Sequence, residues 1–210
     1  MNKLVYFILA ITSIVLYAES EYTRIPQMGS ETPFFKALST HGEIEMSKDF
    51  SGKWVILLSF PGCKTPVCTS ELKLLLKDYM FFKSHNTEIV GLNFHKIDEN
   101  KAWIDQVKKD MNIRYSFPIV SDDSMEIAKK YGIYHSAMSK SKAMRNIYII
   151  DPKGKVRAIL MYPMFNGRSI KEIKRLMLAL QASDKEGGVT LADWEEDGKV
   201  YKCTKCFNNN

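Results

Sequence analysis

Residues 54–71 read WVILLSFPGCKTPVCTSE, and the change of pattern inside them decides the fold. The first part, Trp54 to Phe60, is almost wholly apolar and stands between Gly52 and Pro61-Gly62. So short and unbroken a run suits a strand buried on both faces, at the centre of a sheet flanked by helices. Thr65-Pro66-Val67-Cys68 then opens a helix: a threonine caps the free amides of a first turn, and a proline fits the first helical position, where its missing N–H costs nothing. Leu72, Leu75, Leu76 and Tyr79 follow at three- and four-residue spacing and predict a buried helical face running to about Phe82.

Downstream, Glu88 to Phe94 predicts the next strand and Lys101 to Met111 the next helix. Phe117 to Val120 predicts a short strand, Ser124 to Tyr131 a helix stopped by Gly132, and Ile147 to Ile150 another buried strand. Asp151-Pro152-Lys153-Gly154 is a turn, after which Val156 to Met161 returns as a paired strand and Ile170 to Leu180 as a helix. Upstream, Ser39 to Gly42 marks a turn, and Thr32-Pro33 opens the folded part. This order predicts an α/β protein with a mixed central β-sheet flanked by helices on both faces, which a thioredoxin-like fold satisfies. No internal repeat, low-complexity stretch or Gly/Ser linker divides the chain. Residues 28–182 read as one domain, and 183–210, richer in Gly, Asp, Glu and Lys, as a C-terminal extension that wraps the surface or a partner subunit.

Hydrophobic residues make up 45% of the chain and charged residues 26%, which is ordinary for a globular protein and excludes fibrous, disordered and multi-spanning classes. Lys3 followed by the apolar run Leu4 to Leu16 and then Tyr17-Ala18 predicts a signal peptide over residues 1–18. That run is shorter than the ~20 residues a membrane-spanning helix needs, so a periplasmic or secreted product without a membrane anchor is expected. The net charge of +6 is scattered over predicted helix faces. It lacks the dense basic stripe with interleaved aromatics that a nucleic-acid surface carries, and no nucleic-acid partner is expected.

The cysteines are Cys63, Cys68, Cys203 and Cys206, too few to staple a domain of this length but suited to redox chemistry. Cys68 falls in the first turn of the helix after the buried strand, where unpartnered N–H groups and the positive end of the helix dipole stabilise an anion. Taken alone, a cysteine there also reads as a small buried hydrophobe. Zinc is the rival for the tail pair Cys203 and Cys206, but they supply only two ligands, and His41, His85, His95 and His135 share no ligand spacing, so no metal is expected. No phosphate loop, flavin or nicotinamide fingerprint is present, and no cofactor is expected. A thiol–disulfide oxidoreductase of thioredoxin type is the competing reading. Its signature would put a cysteine three places before Cys68, where this chain has Thr65.

Pro61, Thr65 and Cys68 reproduce the Pro-x-x-x-Thr-x-x-Cys signature of the peroxiredoxins, and the stretch from Thr65 to Leu72 resembles their one-cysteine subgroup. Gly52-Lys53-Trp54, Ala102-Trp103, Phe117-Pro118-Ile119, Arg145, Ile150-Asp151-Pro152, Tyr162-Pro163, Gly167-Arg168 and Ala179-Leu180-Gln181 also fall in family order. The resemblance implies a thiol-dependent peroxidase acting on hydrogen peroxide and organic hydroperoxides. Cys68 would attack the peroxide and become a sulfenic acid, Thr65 would hydrogen-bond the substrate, Arg145 would hold the thiolate and orient the peroxide, and Pro61 would shield the pocket. Glu71 would support an arginine network. The resemblance further implies an external thiol or disulfide reductant and a homodimer, with association into rings left open; such rings also suggest a chaperone role. Departures are Phe60, where the one-cysteine subgroup has a histidine, and Cys63-Lys64 in place of an Asp-Phe pair. Cys63 is then either a resolving or regulatory thiol or a packed bystander. Cys203 and Cys206 either resolve Cys68, pair with each other, bind metal or form an inert tail.

Overall fold

The computed structural model describes residues 25–134 and 144–203; the predicted signal peptide, His135 and Cys206 lie outside them. The chain order is β1 (Lys36–Ser39), β2 (Gly42–Glu45), α1 (Met46–Asp49), β3 (Trp54–Ser59), α2 (Pro66–Lys77), α3 (Tyr79–Ser84) and β4 (Thr87–Asn93). It continues with α4 (Ile97–Met111), β5 (Ile119–Ser121), α5 (Glu126–Lys130), β6 (Arg145–Ile150), β7 (Val156–Tyr162) and α6 (Ile170–Glu186). The strands form one sheet in the order β2-β1-β5-β4-β3-β6-β7. β3 lies parallel to β4 and antiparallel to β6, so the sheet is mixed and the apolar run from Trp54 sits near its middle.

Side chains of a strand alternate between faces, and β3 divides the core accordingly. Ile56 and Leu58 join Leu72, Leu75 and Leu76 of α2, Trp103 of α4 and Met177 of α6 on one face. Val55 and Leu57 join Phe35, Met46, Phe50 and Ala128 on the other. Burying a side chain such as Leu72 stabilises the fold by about 1.5–3 kcal/mol, so the face of α2 that was legible in the sequence also anchors the turn that carries Cys68.

Two local features depart from the sequence-based expectation. The helix expected to run to about Phe82 is broken at Asp78, whose backbone at φ −93°, ψ 5° ends α2 before α3 begins. Aspartate is a poor helix former, and its Oδ2 is held 3.2 Å from Nζ of Lys174 on α6, while Phe82 beyond the break is fully buried. The Ser39–Gly42 turn is flanked by a hairpin of four-residue strands with Ser39 opposite Gly42. Those strands are too short and too exposed to show an alternating pattern.

The β6–β7 hairpin turns on Asp151, whose Oδ1 accepts from the backbone N–H groups of Lys153 and Lys155, both at 2.9 Å. Beyond α6, Gly187 takes a left-handed cap at φ 60°, and the extension folds back along the helix. The N–H of Val189 donates to the carbonyl of Tyr201 and that of Tyr201 to the carbonyl of Val189. Trp194 is buried between them, its carbonyl accepting from Arg175 at 3.2 Å. No helix among the described residues is long and apolar enough to cross a membrane.

Candidate active site

Thr65 stands in extended conformation as the N-cap of α2, and its Oγ1 accepts from the Cys68 N–H at 3.4 Å; Pro66 fills the first helical position. Cap and proline together fix where the helix begins, and so fix Cys68 in its first turn at the end of the central strand. Cys68 is fully buried and belongs to the core cluster under the sheet. Thr65 and Arg145, which both contact Cys68, line a cavity of about 540 Å³ together with Pro61, His95 and Phe165.

Arg145 is the first residue of β6, next to β3, and is itself buried. Its Nη1 lies 3.4 Å from Sγ of Cys68 and 2.9 Å from Oε2 of Glu71, while Nε donates to the Met164 carbonyl at 2.7 Å. Glu71, one turn beyond Cys68 on α2, is also shared with a second buried arginine. Arg168 donates to its Oε1 from the backbone N at 2.8 Å and from Nε at 3.0 Å, and to Oε2 from Nη2 at 2.7 Å. Burial pulls the Arg168 guanidinium down from its ordinary value, against the pull of Glu71. Its Nη1 also binds the carbonyls of Ser59 and Asn146, which ties the end of β3 and the start of β6 to the start of α6. Two guanidiniums thus share one carboxylate, and an anionic sulfur at Cys68 would bring the cluster to neutrality.

Sequence reasoning matched Arg168 only as part of a family pattern and gave it no role. It lies far from Arg145 in sequence, and only the fold brings the two together. The network behind Cys63 was likewise illegible. Sγ of Cys63 donates to Oδ1 of Asn100 at 3.0 Å and accepts from Nδ2 of Asn93 at 3.4 Å. Those two asparagines are fully buried and 2.6 Å apart. Burial pushes the Cys63 thiol up to about 12, with Asn93 pulling the other way, so Cys63 stays protonated at neutral pH. A thiol must ionise to attack, and this one is placed as a hydrogen-bonding wall of the cavity.

Cys203 lies at the other end of the subunit. Arg168, at the site, immediately precedes the α6 cap Ser169, whereas Gln181 near the far end of α6 binds the carbonyl of His85, the cap of α3 just before β4. A helix of that length spans about 25 Å, and Cys203 follows Tyr201, which is bridged to Val189 just past the helix end. Cys203 is disulfide-bonded, but to neither Cys63 nor Cys68, both of which are free thiols. No group of three or more His, Cys, Asp or Glu among the described residues is arranged to hold a metal ion.

A mixed sheet with a cysteine in the first helical turn after its central strand defines the class of thioredoxin-fold thiol proteins. The pattern of the AhpC/TSA family matches residues 28–159. A peroxiredoxin of Aquifex aeolicus is 40% identical over 88% of this chain and 83% of its own, and one of Methanosarcina mazei 38% identical over 81% of each. Among solved structures, a yeast mitochondrial one-cysteine peroxiredoxin superposes with a TM-score of 0.76 at 30% identity, covering 85% of this chain and 87% of its own. A peroxiredoxin 6 of Arenicola marina superposes with a TM-score of 0.79 at 26% identity, covering 85% and 84%. The chain belongs to the peroxiredoxin family, whose members are thiol-dependent peroxidases.

Proposed function

We propose that Cys68 is the thiol that reduces peroxides. The observation that carries this reading is the buried cluster in which Arg145 reaches the Cys68 sulfur while sharing Glu71 with Arg168. The Cys68 thiolate attacks one oxygen of hydrogen peroxide or an organic hydroperoxide; the S–O bond forms as the O–O bond breaks, leaving a sulfenic acid and a hydroxide or alkoxide that takes up a proton. Arg145 stabilises the charge on sulfur and oxygen through preorganised donors. Thr65 supplies a hydroxyl beside the substrate, Pro61 keeps water from the pocket wall, and Glu71 holds both arginines in register.

The sulfenic acid is reduced by thiols: one condenses with it to release water and form a disulfide, and another reopens that disulfide. The yeast relative's structure concerns thiol resolution through glutathione and thioredoxin systems, and an external thiol of that chemical class is the reductant proposed here. If the tail pair Cys203 and Cys206 takes part, it serves the neighbouring subunit. Cys203, two residues past Tyr201, and Cys206, five past it, reach at most ~7 Å and ~18 Å, both short of the length of α6 that separates the tail from Cys68. A homodimer follows from that reading, with the chain closest in its motif to the one-cysteine subgroup. The apolar run Leu4 to Leu16 supports export and a role in antioxidant defence outside the cytoplasm.

Stopped-flow oxidation of the reduced protein by hydrogen peroxide, compared with Cys68→Ser, tests the assignment. Fast oxidation abolished by the substitution is expected, and mass mapping of the oxidised sulfurs identifies any partner of Cys68. A wild-type protein reacting no faster than a free thiol would overturn it.

A further inference from the structure

The cavity that Thr65 and Arg145 line holds an imidazole that the reading above does not use. His95, on the loop between β4 and α4, lines the same cavity as Thr65 and Arg145. Its Nδ1 lies 2.5 Å from Oε2 of Glu99, in the first turn of α4, and its backbone N–H donates to Oδ1 of the buried Asn93 at 3.1 Å. Ring and loop are therefore both held, and Nε2 is the ring nitrogen left for a ligand. Nε2 stands 3.5 Å from the point where a Cβ on Gly62 would be, and Cγ2 of Thr65 stands 3.4 Å from that same point. Imidazole and threonine thus face each other across a gap that one methyl group would fill. Gly62 has no positive φ, so its backbone does not demand glycine; the open gap is what glycine provides.

Displacement at a peroxide is in line, and the Cys68 sulfur is buried behind Thr65 and Arg145, two residues of the cavity wall. The departing oxygen therefore points away from the buried sulfur, into the cavity that His95 lines. Hydroxide and alkoxide are strongly basic leaving groups, and a positioned acid lowers the barrier to their release. A guanidinium does not give up its proton, so Arg145 cannot be that acid. We propose that His95, oriented by Glu99, protonates the departing oxygen during peroxide reduction.

In this step the sulfur lone pair forms the S–O bond, the O–O pair passes to the leaving oxygen, and that oxygen takes the proton from Nε2. The product is water or an alcohol, and the imidazole recovers its proton from solvent. Glu99 stabilises the imidazolium between turnovers. The other charged or titratable groups that line the same cavity are Cys63 and Arg145. Burial pushes the Cys63 thiol up to about 12, and a guanidinium does not give up its proton, so neither neighbour competes with His95 as the acid.

The inference rests on Cys68 being the reacting thiol, and its test separates the two. Oxidation rates of the reduced full chain are measured from about pH 5 to about pH 9, the range that brackets a histidine, for wild type, His95→Gln and Gly62→Ala. Hydrogen peroxide, tert-butyl hydroperoxide and peracetic acid serve as oxidants. His95→Gln is expected to lose the fall in rate at higher pH and to slow by about 10²-fold with tert-butyl hydroperoxide, less with hydrogen peroxide. With peracetic acid the loss is expected to shrink to near nothing, because acetate leaves without needing a proton. Gly62→Ala, whose methyl fills the gap at ordinary contact distances, is expected to reproduce the same order among oxidants. Equal losses with all three oxidants, or a pH profile unchanged in both variants, overturn the role of His95 while leaving Cys68 in place. A wild type no faster than a free thiol overturns the peroxidase reading instead.

Discussion

Replacing Glu71 by glutamine removes the carboxylate that both buried guanidiniums share. Four hydrogen bonds reach Glu71, three from Arg168 and one from Arg145, at 2.7–3.0 Å. Glutamine keeps the shape and one acceptor oxygen but none of the charge, so the two cations are left to repel each other in a site where both are about 95% buried or more. Stripping the partner from a buried ion costs about 3–5 kcal/mol, and in a domain of this size each kcal/mol lowers Tm by about 2–4 °C. A fall of about 10 °C is therefore expected in thermal unfolding of the reduced protein, with a matching drop in the urea midpoint. Arg168→Met should be costly alone, yet Glu71→Gln combined with Arg168→Met should lose less than the sum of the two by about 1–3 kcal/mol. A Glu71→Gln protein within about 0.5 kcal/mol of its parent, the range of unremarkable surface changes, or a strictly additive cycle, would show that the carboxylate is not what holds the two arginines.

The other expectations concern the sulfurs and their neighbours. Arg145→Lys keeps the charge but loses the fork that serves Met164, Glu71 and Cys68 together; stopped-flow oxidation of Cys68 should slow by about 10²–10³-fold, and a loss within threefold would refute the role. Cys63 keeps its proton in the fold up to about 12 against an ordinary 9.0. Above 9.0 the unfolded chain therefore binds fewer protons than the folded one, and stability should decline from there toward about 12. Iodoacetamide at neutral pH should accordingly leave Cys63 largely unlabelled in the folded protein and label it readily in the unfolded one, as read by peptide mass; equal labelling in the two states would contradict the half-buried, protonated thiol.

What was legible in the sequence was local. Thr65 and Pro66 placed the start of α2, and Gly132 and the Asp151–Gly154 turn marked real ends of elements, because caps, prolines and turn glycines act over a few residues. The cluster around Glu71 was only partly visible: Cys68 and Glu71 share a helix, but Arg145 and Arg168 arrive from strand and helix starts that only the sheet order brings together. His95 carried no spacing signal at all. Its place in the cavity follows from the end of β4 meeting the start of α2, and Asn93 and Asn100 gave no hint that they back Cys63. The break at Asp78 was hidden because Phe82 continues the apolar pattern across it.

Cys68 has no exposed surface and packs in the same cluster as Leu72 and Trp103. On the proposed reading a peroxide comes to this sulfur from the cavity that Thr65 and Arg145 line, whereas the sulfur of another protein is too bulky to follow it. Joining two sulfurs requires the first turn of α2 to leave its packed position, so the folded turn and the disulfide are alternatives. Local opening of this kind has its own free energy, separate from global stability. The tighter that turn is packed, the longer an oxidised sulfur waits inside the pocket, within reach of a second peroxide but not yet of a thiol. If Cys68 is the reacting thiol, the packing that sharpens the first reaction is also a clock on the second, and it sets how much peroxide the protein can meet before its own sulfur is oxidised past recovery.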